Sequence, residues 1–132
     1  MAEVIFRNLC VKNGREDVVV CGAGTHAAPG ALMTYESGLA LEMCGEPVGG
    51  LEMRATRFEP EMVFEFDYII AMAKHHAQYM GTGHKNVKTL AAYARCGDIF
   101  DPYGYPLDTY IEVCKKLQKA LGTLYSRICK KG

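Results

Sequence analysis

The sequence predicts an α/β fold, a three-layer α/β/α arrangement around a short parallel sheet. Two observations predict it. Short β-branched runs alternate with segments of helical apolar spacing, the order that gives parallel strands joined by right-handed crossovers. The composition, 49% hydrophobic and 23% charged over 132 residues, is that of one globular domain spanning 1–132.

The elements follow in order. Residues 2–13 place Val4, Ile5, Leu9 and Cys10 on one helical stripe, and Gly14 stops it. Residues 17–21, DVVVC, read as a buried strand ended by Gly22, Gly24 and Pro29. Residues 29–44 carry helical spacing through Leu32, Met33, Leu39, Leu41 and Met43. Pro29 suits the first turn and Gly45 the end. Gly38 weakens this helix from within. Residues 59–65 form a short helix with Pro60 near its start, and 67–72, DYIIAM, a second strand. Residues 74–80 are a short helix, and Gly81, Gly83 and His84 mark a loop. Residues 86–90 are a third, weaker strand, and 91–96 a helical turn. A loop rich in Gly, Pro and Asp spans 97–106. The longest helix, 107–129, spaces Leu107, Ile111, Cys114, Leu117, Leu121, Leu124 and Ile128 at three- and four-residue steps.

Charge and cysteine usage exclude several functions. Lys+Arg and Asp+Glu are both 15, so no basic surplus draws the chain to nucleic acid or an anionic membrane. The longest apolar runs, Val18 to Cys21 and Tyr68 to Ala73, are far short of a membrane span. Met1-Ala2-Glu3 begins no signal peptide, so the expected location is cytoplasmic. The six cysteines stand singly without a CxxC pair, which favours reduced structural thiols over disulfides or zinc. His26, His75, His76 and His84 lack ligand spacing. His75 and His76, adjacent on a helix, diverge by about 100°. No metal and no cofactor is expected.

Two features are odd for this fold. The first helix opens at Met1 without a Ser, Thr, Asp or Asn cap. Three short strands, one of them weak, are also few for an α/β sheet. An element is missing from the front.

A succession of motifs accounts for this. Cys21-Gly22-Ala23-Gly24-Thr25 resembles the strand-to-loop SAGT signature of the low-molecular-weight protein tyrosine phosphatases. Met53-Arg54-Ala55-Thr56-Arg57-Phe58 is similar to the segment after that family's second helix. Asp67-Tyr68-Ile69-Ile70-Ala71-Met72 matches its D-x-I-x-x-M strand. Asp98-Ile99-Phe100-Asp101-Pro102-Tyr103-Gly104 resembles its D-[VI]-x-D-P-[FY] loop. Met1-Ala2-Glu3 resembles the M-A-E directly after its phosphate-binding loop. The resemblance covers the chain in order, and five motifs in sequence carry more weight than any one.

The family's defining element is a central strand running into C-x5-R-S/T-P, whose Cys is the nucleophile and whose Arg grips phosphate. The chain has no such motif. Cys10 and Arg15 are separated by four residues, and no other Cys precedes an Arg at the required distance. By resemblance, Asp101 is the general acid that protonates the leaving oxygen, and Tyr103 lines the substrate cleft. Read without the family, Asp-Pro-Tyr-Gly is a turn. The helix at 2–13 would point its positive end at a phosphate; here it offers a weak, nonspecific anion site at a free amine. Tyrosines beside the acid loop are phosphorylated in the family, a property that would fall on Tyr103 and Tyr105.

Departures from the pattern are specific. Cys21 replaces the Ser of SAGT, and Ala73 stands where tyrosine phosphatases carry Asp. His75-His76, Thr89-Leu90 and the Asp101-Pro102-Tyr103-Gly104 run resemble the bacterial, protein-arginine-phosphatase-like branch more closely. The residue separating phosphotyrosine from phosphoarginine lies in the missing loop.

The resemblance implies a sheet ordered 2-1-3-4 whose middle strand is lacking. That removes five or six buried side chains, each worth about 1.5–3 kcal/mol, from a domain holding only about 5–15 kcal/mol. The fold is therefore expected either to rearrange, with 17–21 pairing onto 67–72, or to be completed by oligomerisation through the exposed strand edges, as a homodimer or a larger assembly. Two origins fit the missing front: a coding start set at an internal methionine, or a loop-less paralogue. The reading frame upstream of Met1 separates them.

Three functions remain. The first is a member of the phosphatase family, acting on phosphoproteins through a phosphocysteine, with this chain inactive as given. The second is a pseudophosphatase working as a protein-interaction module. The third is a fragment of a protein-arginine phosphatase or an arsenate reductase, the latter by analogy of fold alone.

Overall fold

The computed structural model describes residues 1–23, 33–48, 56–80 and 83–129. Helix α1 spans Ala2–Lys12 and buries Val4, Ile5, Phe6 and Cys10. It ends in a Schellman motif: Arg15 N–H donates to Cys10 O (2.8 Å) and Gly14 N–H to Val11 O (3.1 Å). Gly14 supplies the left-handed conformation this ending requires, at φ +69°. Helix α2, Tyr35–Met43, starts on Thr34, whose Oγ1 accepts the Ser37 N–H at 3.2 Å. It closes the same way as α1, Glu46 N–H donating to Leu41 O at 2.8 Å. The sequence places this helix over 29–44; residues 29–32 lie outside the described residues, and the described part begins six residues later than expected.

After a 3-10 turn at Pro60–Phe64 comes strand β1, Ile69–Ala71, then α3, Lys74–Met80. Strand β2, Val87–Thr89, runs directly into α4, Leu90–Ala94. Thr89 caps α4 by accepting the Ala92 N–H at 3.2 Å. The long helix α5, Leu107–Ile128, completes the chain. Its apolar face, Tyr110, Val113, Cys114, Leu117, Ala120, Leu121 and Leu124, keeps the three- and four-residue steps of the sequence. That face packs against α1, α2 and α4. No helix among the described residues is long and apolar enough to cross a membrane.

β1 and β2 are parallel in the register Ile69↔Val87, Ile70↔Lys88, Ala71↔Thr89. The pleat splits β1 between two cores. Ile70 and Met72 face the larger core, built by Val4, Ile5, Phe6 and the α5 face. Ile69 and Ala71 face the smaller one, built by Phe58, Val63, Ala77 and Val87. Asn86 ties the smaller core together, donating through Nδ2 to Val63 O (2.8 Å) and Phe66 O (2.9 Å). Layers of helix and turn thus lie on both sides of a short parallel sheet, as expected.

One element differs. Residues 17–21 form no strand, and the sheet of the described residues has two strands, not three. Burial still alternates with a period of two from Val18 to Ala23, with Val19 79% exposed. The apolar pattern is therefore kept and the ladder is not. A strand pairs only with a neighbour about 4.8 Å away. Here a cavity of about 250 Å³, lined from one side by Val18–Ala23 and from the other by Tyr68, Ile70 and Met72, separates the two segments. The expected rearrangement of 17–21 onto 67–72 has not occurred. Side chains hold the segment instead. Arg7 donates to Val20 O at 3.0 Å. Arg15 pairs with Asp17 at 2.9 Å and donates to Cys129 O at the end of α5.

Candidate functional site

Chemistry was expected at the loop after α4, and the structure shows how that loop is built. Arg95 ends α4 in the left-handed region, φ 53°, and turns the chain toward the end of β1. There Ile99 N–H donates to Met72 O at 2.8 Å, and the Ile99 side chain enters the larger core. Asp98 reaches across to α3, its Oδ1 accepting the Lys74 N–H at 3.2 Å. Lys116 of α5 donates to Asp98 O at 3.3 Å. Three elements therefore fix the loop before it reaches the acid.

Asp101 itself is exposed. Its Oδ1 accepts the Tyr103 N–H at 3.1 Å, an Asx turn that fixes the carboxyl on its own backbone. The turn closes with Tyr105 N–H donating to Pro102 O at 2.9 Å and with Gly104 at φ +84°. Pro102 is buried and anchors the turn. Tyr103 stands 74% exposed beside the acid. Phe100 and Tyr105 pack edge to face at 4.9 Å, a brace the sequence reading did not name. The residues make the turn expected of Asp-Pro-Tyr-Gly, and the turn holds the Asp101 carboxyl out to solvent. Such a carboxyl can carry a proton to an oxygen brought against it.

The structure joins Asp101 to Tyr103 and adds Asp98, which lies within the quoted motif but was given no role there. Asp98 bonds a backbone N–H rather than another side chain, which motif reading does not reveal.

The cysteines supply no activated nucleophile at the buried positions. A reactive cysteine needs its pKa lowered. Burial does the opposite at three of them. It pushes the Cys114 thiol up to about 12, with the hydrogen-bonded Cys44 thiol adding to the effect. It raises Cys10 and Cys129, which hydrogen-bond each other between the ends of α1 and α5. Cys21 is exposed. No disulfide links the six.

At the start of α1, Ile5 N–H donates to Met1 O at 3.1 Å and Glu3 occupies the first turn. Burial lowers the Met1 amine below its ordinary value. The rings of His75 and His76 lie tilted to each other with centroids 4.1 Å apart. Among the described residues no three His, Cys, Asp or Glu side chains gather as a metal site. His26, Gly24, Thr25 and the Met53-Arg54-Ala55 stretch lie outside the described residues.

Comparison with known proteins matches this arrangement. A sequence model of a family described as low molecular weight phosphotyrosine protein phosphatase matches residues 1–132. A protein-arginine-phosphatase of Bacillus subtilis is 28% identical, over 98% of this chain and 88% of its own length. Among solved structures, a YwlE mutant from Bacillus subtilis superposes with a TM-score of 0.85 at 26% identity. The match covers 98% of this chain and 88% of that one. A low molecular weight protein tyrosine phosphatase from T. tengcongensis gives 0.85 at 25% identity, over 96% and 88%.

Proposed function

Because the chain belongs to the low molecular weight phosphotyrosine protein phosphatase family, we propose that its described residues supply the acid half of a phosphomonoester hydrolase. Asp101 is the general acid and Tyr103 lines the substrate cleft. The family reaction needs a thiolate that attacks phosphorus and forms a phosphocysteine. The bond to the leaving oxygen breaks, and that oxygen takes the acid's proton. Water then attacks phosphorus and frees phosphate and the thiol. The substrates this implies are phosphoproteins.

The observation that carries the reading is the Asp101 carboxyl, held on one oxygen by Tyr103 N–H in a loop pinned to Met72 and Lys74. The 132 residues contain no C-x5-R, and burial keeps Cys10, Cys114 and Cys129 as thiols. On this reading the chain as given is inactive. Assay on a phenyl phosphate ester should give no turnover above that of Asp101→Ala. Clear turnover that disappears in Asp101→Ala overturns the inactivity and confirms the acid.

A second reading, a pseudophosphatase that acts by binding another polypeptide, is favoured by the edge of β1 that no described strand covers. The homodimer expected from the sequence is one form of it. For the first reading, the protein-arginine-phosphatase relative supports phosphoarginine proteins as a second substrate class, in which the bond broken is P–N and the proton of Asp101 goes to the leaving guanidine nitrogen.

A further inference from the structure

The peptide unit between Asp98 and Ile99 is held from two sides. Its N–H donates to Met72 O, just past the end of β1, at 2.8 Å. Its C=O accepts from Lys116 Nζ of α5 at 3.3 Å. The Asp98 side chain makes a third tie, its Oδ1 accepting the Lys74 N–H at 3.2 Å. That N–H is the first of α3, Lys74–Met80.

The residue before Lys74 shows what this third tie replaces. Ala73 O accepts the Ala77 N–H at 3.3 Å, which puts Ala73 at the cap position of α3. A capping residue supplies a side-chain oxygen to the first amides of its helix. Alanine has none, and Ala73 is buried. The oxygen comes instead from Asp98, 24 residues beyond Lys74. A helix of seven residues has little stability of its own. The bond therefore joins a short helix to an irregular loop, and each orders the other.

We propose that Asp98 is a positioning residue for Asp101: by capping α3 in place of residue 73, its side chain fixes the point from which the acid turn leaves the sheet. The proposal rests on the reading of Asp101 as the general acid and deepens it.

The other ties do not replace this one. The bond from Tyr103 N–H to Asp101 Oδ1 closes the turn on itself and does not place it against the sheet. Lys116 reaches Asp98 O from the end of a flexible four-carbon stem. The Asp98 side chain is short, so a bond from it to a helix backbone sets where its own Cα lies. Only Ile99 and Phe100 separate Asp98 from Asp101. Ile99 is seated in the larger core and Phe100 is braced by Tyr105, so neither absorbs a shift of Asp98. A general acid works within about 2.6–3.2 Å of the atom it protonates, so a small displacement of the turn matters.

The test is NMR on the full 132-residue chain, read at the amides of Lys74 and Tyr103. In Asp98→Ala, exchange should quicken about three- to thirty-fold at both, the loss of one capping hydrogen bond. Asp98→Asn keeps an acceptor oxygen in place and should return both amides to the parent rates. Asp98→Ala combined with Ala73→Ser gives α3 a local cap. That pair should restore the thermal midpoint while Tyr103 still exchanges fast. An unchanged Tyr103 amide in Asp98→Ala overturns the proposal. So does recovery of Tyr103 through Ala73→Ser, because Asp98 would then serve α3 alone. Should Ala73→Ser fail to restore the midpoint, Asp98→Asn decides, and a Tyr103 amide as fast there as in Asp98→Ala overturns the proposal. None of these readouts needs turnover. If Asp101 proves not to be an acid, the Tyr103 amide still reports whether Asp98 places the turn, so the two failures are distinguishable.

Discussion

Two irregular segments flank β1, and they are held in opposite ways. The acid loop, residues 97–106, is joined to the sheet by backbone hydrogen bonding from Ile99 to Met72, and to α3 through Asp98. Residues 18–23 run past the other side of β1 with no bond to it, held from behind by two arginines. The acid loop is fixed by the sheet, so its geometry follows from the fold. The valine segment is fixed by side chains, so the space between it and β1 stays open. A chain with the apolar pattern of a strand becomes one only when a partner edge lies within hydrogen-bonding distance. The same pattern stands as a wall when it does not.

The comparison can be broken most severely through the support both segments share. Leu121 of α5 is buried in the larger core and lines the cavity between residues 18–23 and β1. Leu121→Ala should cost about 2–5 kcal/mol in urea unfolding, through lost burial and a cavity. A loss below about 1 kcal/mol would show that the core closes over the truncated side chain, and that the cavity beside residues 18–23 is soft.

The second change separates the two segments. Arg7→Ala removes the donor on Val20 O, a hydrogen bond to a charged group worth about 1.5–3 kcal/mol. Amide hydrogen exchange should quicken across 18–23 and stay unchanged across 97–106. Equal quickening in both would mean that the segments are not independently held.

The smallest effect belongs to the acid loop. Gly104 has φ +84° with nothing within 4 Å of an added Cβ, so only backbone strain opposes a side chain there. Gly104→Ala should cost about 1 kcal/mol in thermal unfolding. It should leave exchange at 18–23 as it was. A neutral result would mean that the turn shifts to relieve the strain.

The sequence by itself determined where the helices lie and how α1 and α2 end, though not where α2 starts. Gly14 and Gly45 mark the two Schellman endings, and the three- and four-residue apolar steps of α5 mark its buried face. These are local effects: capping and helical amphipathicity act within a few residues. The turn that holds Asp101 and Tyr103 was legible for the same reason, because an Asx turn is closed by neighbours in the chain, whereas the roles given to them rest on the family resemblance. Tertiary structure alone decided the state of 17–21. Its valines carry β propensity, but pairing needs a second strand, and the distance to β1 is set by α1, α5 and the arginine tethers. Asp98 likewise acts on Lys74, 24 residues away, a meeting that no spacing in the sequence states. Propensity and caps are read along the chain, whereas hydrogen bonds between distant segments exist only once the packing has fixed their separation.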